Sequence, residues 1–167
     1  KTILKLDGVV TLEFPHLMRL IEHTQFDTAY HEHYSYLSLT AVSSIFIRKG
    51  LRIWDVEELE THGGSLRVYG CHEDNARVNS VRVGQILEQE SKNGLTDITI
   101  YREFQTRAES VKNTLISFLI EQRKRGKSVA AYGAAAKGNT ILNYAGIRPD
   151  LLPYVCDSAP SKQGKYM

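Results

Sequence analysis

The apolar positions in the first part of the chain predict a strand followed by a helix. An Asp-Gly turn at residues 7–8 leads into the β-branched run VVTLEF at 9–14, and Pro15 ends that run. Apolar residues then recur on one helical face: Leu39, Val42, Ile45 and Phe46. Ser38 is placed to cap this helix, and a Lys-Gly pair at 49–50 is expected to end it.

Two alternating strands are predicted next, at 51–56 and 65–69, and the sequence THGG at 61–64 forms the turn between them. The order of elements is therefore strand, helix, strand, turn, strand. That order is typical of the last part of a sheet rather than of its beginning.

The middle of the chain predicts a polar connection and two helices. Residues 73–79 have the composition of a linker, and a weak helix follows at about 80–93. A stronger helix ends at Gly126. Its apolar residues recur at helical spacing: Ile100, Phe104, Ala108, Val111, Leu115, Phe118 and Leu119.

The last part of the chain predicts a βαβ unit. A strand at 128–132, a loop at 133–138, a helix through Tyr144 and a strand at 154–157 follow one another, which is the beginning of a parallel sheet. The chain is thus predicted to be α/β. Its first part forms the end of one sheet, and its last part forms the beginning of a second sheet. The elements at both ends belong to incomplete sheets, and we therefore expect this chain to be a fragment of a larger protein.

Composition narrows the class of protein without identifying it. A hydrophobic share of 42% and a charged share of 24% are ordinary for a globular protein. The formal charge of +2 is too small to indicate a nucleic-acid or membrane partner. Cys71 and Cys156 belong to no CxxC pair, so a disulfide scaffold or a cysteine zinc site is disfavoured. We expect a cytoplasmic protein, because the sequence has neither a signal-peptide pattern nor an apolar run of membrane length.

Histidines concentrate in one segment, since four of the six fall between residues 16 and 33. In an extended segment, Tyr30 and Glu32 would face one way and His31 and His33 the other. Three hypotheses remain open for this cluster. The first is a metal site completed by Glu32 or His16, the second is a buried hydrogen-bonded network, and the third is an acid–base site. The acid–base hypothesis is favoured because imidazole titrates near neutrality and a nearby carboxylate tunes it.

In the acid–base hypothesis, the phenols of Tyr30 and Tyr36 are candidate donors to a developing oxyanion.

The sequence GAAAKGNT at 133–140 lies between a predicted strand and helix, where backbone amides favour an anion. It nearly matches the phosphate loop GxxxxGK[ST], but Asn139 stands where that pattern has lysine, which disfavours a nucleoside triphosphatase. Lys137 is a possible counter-charge for phosphate. The alternative is a tight turn whose small residues serve packing. Lys162 and Lys165 follow the last strand, and they are candidate phosphate contacts or a mobile basic end.

Four segments together resemble consecutive pieces of the S-adenosylmethionine-dependent sugar C-methyltransferases: GVVTLEFPHLMRLIEHTQFDTAYHEHYSYLSL, LRIWDVEELETHGGSLRVYG, VAAYGAAAKGNTILNYAGI and DSAPSKQGKYM. The resemblance spans nearly the whole chain, and the motifs YHEH, THGGSLR and YGAAAKGNT occur in the order found in that family.

The resemblance implies three parts in the whole protein. These are an N-terminal zinc module with cysteine ligands, a methyltransferase domain that holds S-adenosylmethionine, and a C-terminal Rossmann-like domain that helps hold a nucleotide-linked sugar. This sequence has no zinc-type cysteine pairs and no glycine-rich donor loop. Zinc and most donor contacts are therefore expected outside it, and the isolated chain is expected to be inactive.

The resemblance also divides this sequence into three parts. The closing part of the Rossmann-like methyltransferase domain is residues 1–72, and the linker and connecting helix are residues 73–97. The beginning of the C-terminal Rossmann-like domain is residues 98–167.

The resemblance also implies a mechanism. A base removes a proton from a carbon next to the keto group of a nucleotide-linked deoxysugar, and the enolate carbon takes the methyl group. His33 is the implied base, Tyr30 and Glu32 orient the sugar or stabilise the enolate, and His31 and Tyr36 are candidate substrate contacts. Nucleotide-diphosphate contacts are expected from six residues: Lys137, Gly138, Asn139, Thr140, Lys162 and Lys165.

Two other functions stay open at this point. One is a non-catalytic module that binds a sugar nucleotide. The other is a dinucleotide-dependent sugar oxidoreductase, suggested by the βαβ unit but disfavoured because the sequence has no GxGxxG motif. A homodimer that covers exposed sheet edges is a further expectation.

Overall fold

A computed structural model describes residues 2–166 and divides the chain into two compact units. Unit 1 holds the residues up to Gln25 together with Ser35–Arg102, and unit 2 holds Phe26–Tyr34 together with the residues from Glu103 onward. Unit 1 contains an antiparallel sheet and unit 2 a parallel pair of strands. The predicted α/β class is confirmed.

The sheet of unit 1 has three antiparallel strands in the order β1-β3-β2. They are β1 (Val10–Pro15), β2 (Leu51–Leu59) and β3 (Ser65–His72). The last strand in sequence lies in the middle of the sheet, where Val68 is opposite Leu12 on one side and Val56 on the other. All three predicted strands are confirmed, and β2 and β3 extend beyond their predicted ends.

Three helices complete unit 1: α1 (Leu17–Glu22), α2 (Leu39–Arg48) and α3 (Val81–Lys92). The short helix α1 was not predicted, whereas α2 and α3 confirm predicted helices. Helices α2 and α3 pack against β2 and enclose one core. Its buried residues are Leu39, Val42, Phe46, Leu51, Ile53, Val56, Leu66, Val68 and Ile86.

The predicted cap of α2 is confirmed, but one residue of its predicted apolar face is not buried. The Ser38 hydroxyl accepts a hydrogen bond from the Ala41 amide at 3.0 Å. Ile45 is 52% exposed, in contrast to Phe46 beside it. Consecutive helical residues are about 100° apart around the axis. Ile45 therefore falls beside the stripe of core residues rather than within it.

The segment 73–79, predicted as a linker, is irregular but is fixed to β2 by one guanidinium. Arg52 donates hydrogen bonds to four oxygens of the segment: the carbonyls of Glu73, Asn75 and Arg77 and the side-chain oxygen of Asn79. These bonds satisfy backbone carbonyls that have no partner in a helix or sheet. Residues 73–79 are therefore held in one conformation by Arg52.

Unit 2 is built around the predicted βαβ unit. Strands β4 (Ala131–Tyr132) and β5 (Val155–Cys156) pair in parallel, with helix α5 (Ala136–Ala145) between them in sequence. The long helix α4 (Ile98–Lys124) begins in unit 1, and its residues from Glu103 onward belong to unit 2. Among the helices that residues 2–166 form, none combines the length and apolar character needed to cross a bilayer.

Helix α5 begins earlier than predicted. Residues 133–138 were expected to form a loop, but the helix starts at Ala136 and includes Lys137, Gly138, Asn139 and Thr140. Alanine is the strongest helix former, so an alanine run before these residues favours an early start. The predicted phosphate loop is consequently limited to the short turn through Gly133.

Replacing Gly70 with alanine is expected to destabilise unit 1, because Gly70 lies in the central strand against the ring of Phe46. A Cβ atom at Gly70 would lie 2.0 Å from Phe46 Cε1, and overpacking a core of this kind costs about 1–3 kcal/mol. Urea denaturation measures the change. The matched control is Gly84→Ala in α3, where a Cβ meets no atom within 4 Å and is expected to stabilise the helix slightly. Equal effects of the two substitutions would contradict this packing.

Candidate functional site

The YHEH segment forms a tight turn rather than an extended segment. The Tyr30 amide donates to the Thr28 carbonyl, and the His33 amide donates to the Tyr30 carbonyl, both at 3.0 Å. The second bond closes a β-turn over residues 30–33. The alternation of side chains considered for an extended segment does not apply, and the turn brings Tyr30 and His33 together.

Tyr30 and His33 form a hydrogen-bonded pair. The Tyr30 hydroxyl and His33 Nε2 are 3.0 Å apart, and the two rings meet edge to face with centroids 4.7 Å apart. Both side chains are half-buried. A phenol held on one ring nitrogen fixes the orientation of the imidazole, which is what a proton acceptor requires.

The two other members of the motif lie at the surface. The side chains of His31 and Glu32 are 86% and 68% exposed, and His31 Nε2 lies 3.9 Å from Glu32 Oε1. An exposed pair at that distance contributes little energy. The carboxylate predicted to assist His33 is thus placed beside His31, and the group bonded to Nε2 of His33 is a phenol.

Tyr36, a predicted oxyanion donor, belongs to unit 1, whereas Tyr30 and His33 belong to unit 2. Tyr36 is half-buried within its own unit. The role of Tyr36 stays a prediction.

A groove of about 590 Å³ in unit 2 brings together three predicted phosphate-binding residues. These are Asn139, Lys162 and Lys165. Three residues that the sequence analysis did not single out share the groove: Arg148, Tyr154 and Tyr166. The sequence signal that could have indicated Arg148 was its position shortly after the helix of the predicted βαβ unit. The combination of cationic and aromatic side chains suits a phosphate joined to a planar base.

The other residues of the predicted phosphate loop serve the helix itself. The Thr140 hydroxyl donates to the Ala136 carbonyl at 3.0 Å, and Gly138 lines a separate apolar pocket of about 280 Å³. Ala135 stands at the N-cap of α5 and offers no side-chain cap. The first turn of α5 thus has no capping side chain from Ala135, and the choice between an anion site and a tight packing turn stays open here.

Asp157 organises the edge of the sheet where the groove begins. One carboxylate oxygen accepts from the Ala134 amide and the other from the Ala159 amide, both at 2.8 Å. Lys162 Nζ donates to the same carboxylate at 3.2 Å. The Ala159 amide is the main cause of a lowered pKa for Asp157, with Lys162 and Ala134 adding to it against the effect of burial. Lys162 therefore lines the groove with its ammonium group already paired with Asp157.

Unit 1 contains a buried carboxylate–imidazole pair that the sequence analysis missed. Glu90 is fully buried, and its Oε1 lies 2.7 Å from His16 Nε2. The same carboxylate accepts from the amides of Leu39 and Thr40 at 2.6 and 2.8 Å and from the Thr40 hydroxyl at 2.5 Å. Glu90 thereby caps the N-terminus of α2 from another helix. Its position in the polar sequence of α3 gave no sign of this role.

The metal hypothesis proposed for the histidine cluster included His16. That residue belongs to unit 1, whereas His31 and His33 belong to unit 2. Throughout residues 2–166, no three His, Cys, Asp or Glu side chains lie together as the ligands of a metal ion do. Of the two cysteines, Cys71 is buried and Cys156 is exposed, and both are free thiols.

Residues 60–167 match the family described as C-methyltransferase C-terminal domain, and the chain belongs to that family. A curated relative is the C-methyltransferase NovU of Streptomyces niveus, which is 35% identical over 163 residues. The match covers 96% of this chain and 38% of the relative. The chain thus spans well under half the length of that relative, and the resemblance to the C-methyltransferases is confirmed.

Proposed function

We propose that this chain forms the substrate-binding part of a C-methyltransferase that uses S-adenosylmethionine and acts on a carbon next to the keto group of a nucleotide-linked deoxysugar. The observation that carries the proposal is the hydrogen-bonded pair of Tyr30 and His33 in a half-buried turn. The family match supports C-methyltransferase chemistry over the alternative of a dinucleotide-dependent oxidoreductase.

In this proposal His33 is the base. A hydrogen on a carbon beside a ketone is weakly acidic. The imidazole Nε2 of His33 accepts it as a proton, and the electron pair of the C–H bond moves into the enolate. The Tyr30 hydroxyl, 3.0 Å from Nε2 in this structure, transfers its hydrogen bond to the enolate oxygen as the ring becomes protonated. Glu32 and His31 lie at the mouth of the turn, where they contact sugar hydroxyls.

The methyl donor is assigned mainly to residues outside this chain. S-adenosylmethionine, when bound, would supply the methyl group as an electrophile to the enolate carbon and would leave as S-adenosylhomocysteine. The assignment follows from the sequence, which has no glycine-rich donor loop.

The groove of unit 2 is proposed to hold the nucleotide diphosphate. Lys165 and Arg148 line it as cations, and Tyr154 offers a ring for the base. The start of α5, where Ala135 offers no side-chain cap, adds backbone amides at the same sheet edge. Lys137 and Thr140 are assigned supporting roles in α5.

The test is a transfer assay with the full-length protein, S-adenosylmethionine and a nucleotide-linked 4-keto-deoxysugar. The expected product carries one new methyl group on carbon, detected by mass spectrometry and carbon NMR. Without donor, the hydrogen on the carbon beside the ketone is expected to exchange with D₂O. Methylation on oxygen or nitrogen would contradict the proposal. Binding without exchange or transfer would instead support the non-catalytic module.

A further inference from the structure

We propose that Tyr144, at the end of α5, is a positioning residue for His33 and acts through the ring of Phe26. This inference rests on the proposed function, because it assigns His33 the role of base. It concerns contacts inside unit 2 only, since Phe26–Tyr34 and α5 belong to the same unit.

The first step is the contact between Tyr144 and Phe26. Their ring centroids are 5.2 Å apart with the planes tilted by 57°, a favourable aromatic geometry. Tyr144 is also held from α4, because Lys112 Nζ lies 5.4 Å from its ring centroid and Gln105 Nε2 donates to its hydroxyl at 3.3 Å. Phe26 therefore packs on a ring whose position two other side chains define.

The second step runs from Phe26 to His33 along the backbone. Phe26–Thr28 form a 3-10 turn, and the Ala29 amide donates to the Phe26 carbonyl at 3.0 Å. The amide of Tyr30 then bonds to Thr28, which is only 2% exposed, and the β-turn at 30–33 follows directly. Local backbone hydrogen bonds therefore follow one another from Phe26 to His33. A displaced Phe26 ring therefore displaces the imidazole.

The third step connects this chain of contacts to the groove. Asn139 near the start of α5 lines the groove, and Tyr144 near its end contacts Phe26. One helix thus carries a groove residue and the anchor of the turn that holds the base. A displacement of about 1 Å in a reacting group lowers a rate by roughly 100-fold. The contact consequently bears on catalysis and not only on stability.

The experiment compares three variants of the full-length protein. Tyr144→Ala removes the ring, and kcat is expected to fall about 10- to 100-fold with KM for both substrates unchanged. Tyr144→Phe keeps the ring and loses the Gln105 bond, so kcat is expected to stay near that of the wild type. Phe118→Ala is the matched aromatic control in α4, expected to lower the melting temperature with kcat per folded molecule unchanged.

A second readout does not depend on turnover. In protein labelled with ¹³C-histidine, the His33 ring resonance is assigned by its loss in His33→Asn. Tyr144→Ala is expected to shift that resonance, and Phe118→Ala is expected to leave it in place. If Tyr144→Ala lowers stability but changes neither kcat nor the His33 resonance, the positioning role is overturned.

The two proposals fail in different ways. A wild type without methyl transfer, together with a His33 resonance that moves in Tyr144→Ala, would remove the proposed function and keep the structural link. Should Tyr144→Ala not fold, Phe26→Leu tests the same contact from the other side, with the same expected loss of kcat and the same shift of His33.

Discussion

His33→Ala in the full-length protein is expected to abolish C-methylation, with kcat falling by about 10²–10⁴-fold, the contribution typical of a general base. The reason is that the substitution removes the imidazole that Tyr30 holds at 3.0 Å, which is the proposed proton acceptor. Exchange of the substrate hydrogen with D₂O is expected to disappear along with transfer.

The measurement pairs steady-state kinetics with binding. Affinity for S-adenosylmethionine and for the nucleotide sugar is expected to be unchanged in His33→Ala, since the loss belongs to the chemical step. Tyr34→Ala is the matched control, because Tyr34 directly follows the same turn and is 94% exposed. Full activity in His33→Ala would remove this residue from catalysis, and an equal loss in both variants would indicate a general disturbance of the turn.

Glu90→Gln is expected to destabilise unit 1 by about 3–5 kcal/mol, the range typical of breaking the hydrogen bonds of a buried charged group. The carboxylate accepts bonds from His16, two amides at the start of α2 and the Thr40 hydroxyl. A glutamine has one acceptor oxygen in place of two, so buried donors at the N-terminus of α2 lose their partner.

The same carboxylate makes stability depend on pH. Burial, the largest single effect, raises the pKa of Glu90, but the hydrogen bonds from His16, Thr40 and Leu39 together outweigh it and leave the pKa below its ordinary value. A lowered folded-state pKa stabilises the protein above the pKa of the unfolded carboxyl group. That stability is lost as the pH falls through the folded-state pKa.

Urea denaturation across the acidic range tests both statements. Wild-type stability is expected to fall as the pH drops below the ordinary glutamate pKa, and Glu90→Gln is expected to lose that part of the dependence. Glu88→Gln is the matched control on the same helix, where the carboxylate is exposed and pairs with Lys92. A Glu90→Gln protein as stable as Glu88→Gln would show that the buried carboxylate does not hold α2.

The sequence predicted the helices and strands well because each depends on neighbours close in the chain. The period of apolar residues in α2 and α4 and the alternation in β2 and β3 were enough to define those elements. The motif order also identified the family. Errors fell at ends and edges, as with the early start of α5 at Ala136, where alanine propensity outweighed the predicted loop.

The candidate site was predicted as residue types but not as an arrangement. The sequence indicated His33 and Tyr30 as partners in one function, yet an extended strand would have pointed them to opposite faces. The turn at 30–33 placed them on the same side. Likewise, the sequence named Lys162 and Lys165, but only folding placed Arg148 beside them in the groove.

By itself, then, the sequence predicted most of the helices and strands, the α/β class and the family, because local periodicity and motif order are written along the chain. Tertiary structure alone decided that Glu90 caps α2 and pairs with His16 across 74 residues, and that the Tyr144 ring packs on Phe26. Such contacts depend on which surfaces meet when the elements pack, and no local pattern of apolar and polar residues specifies that choice.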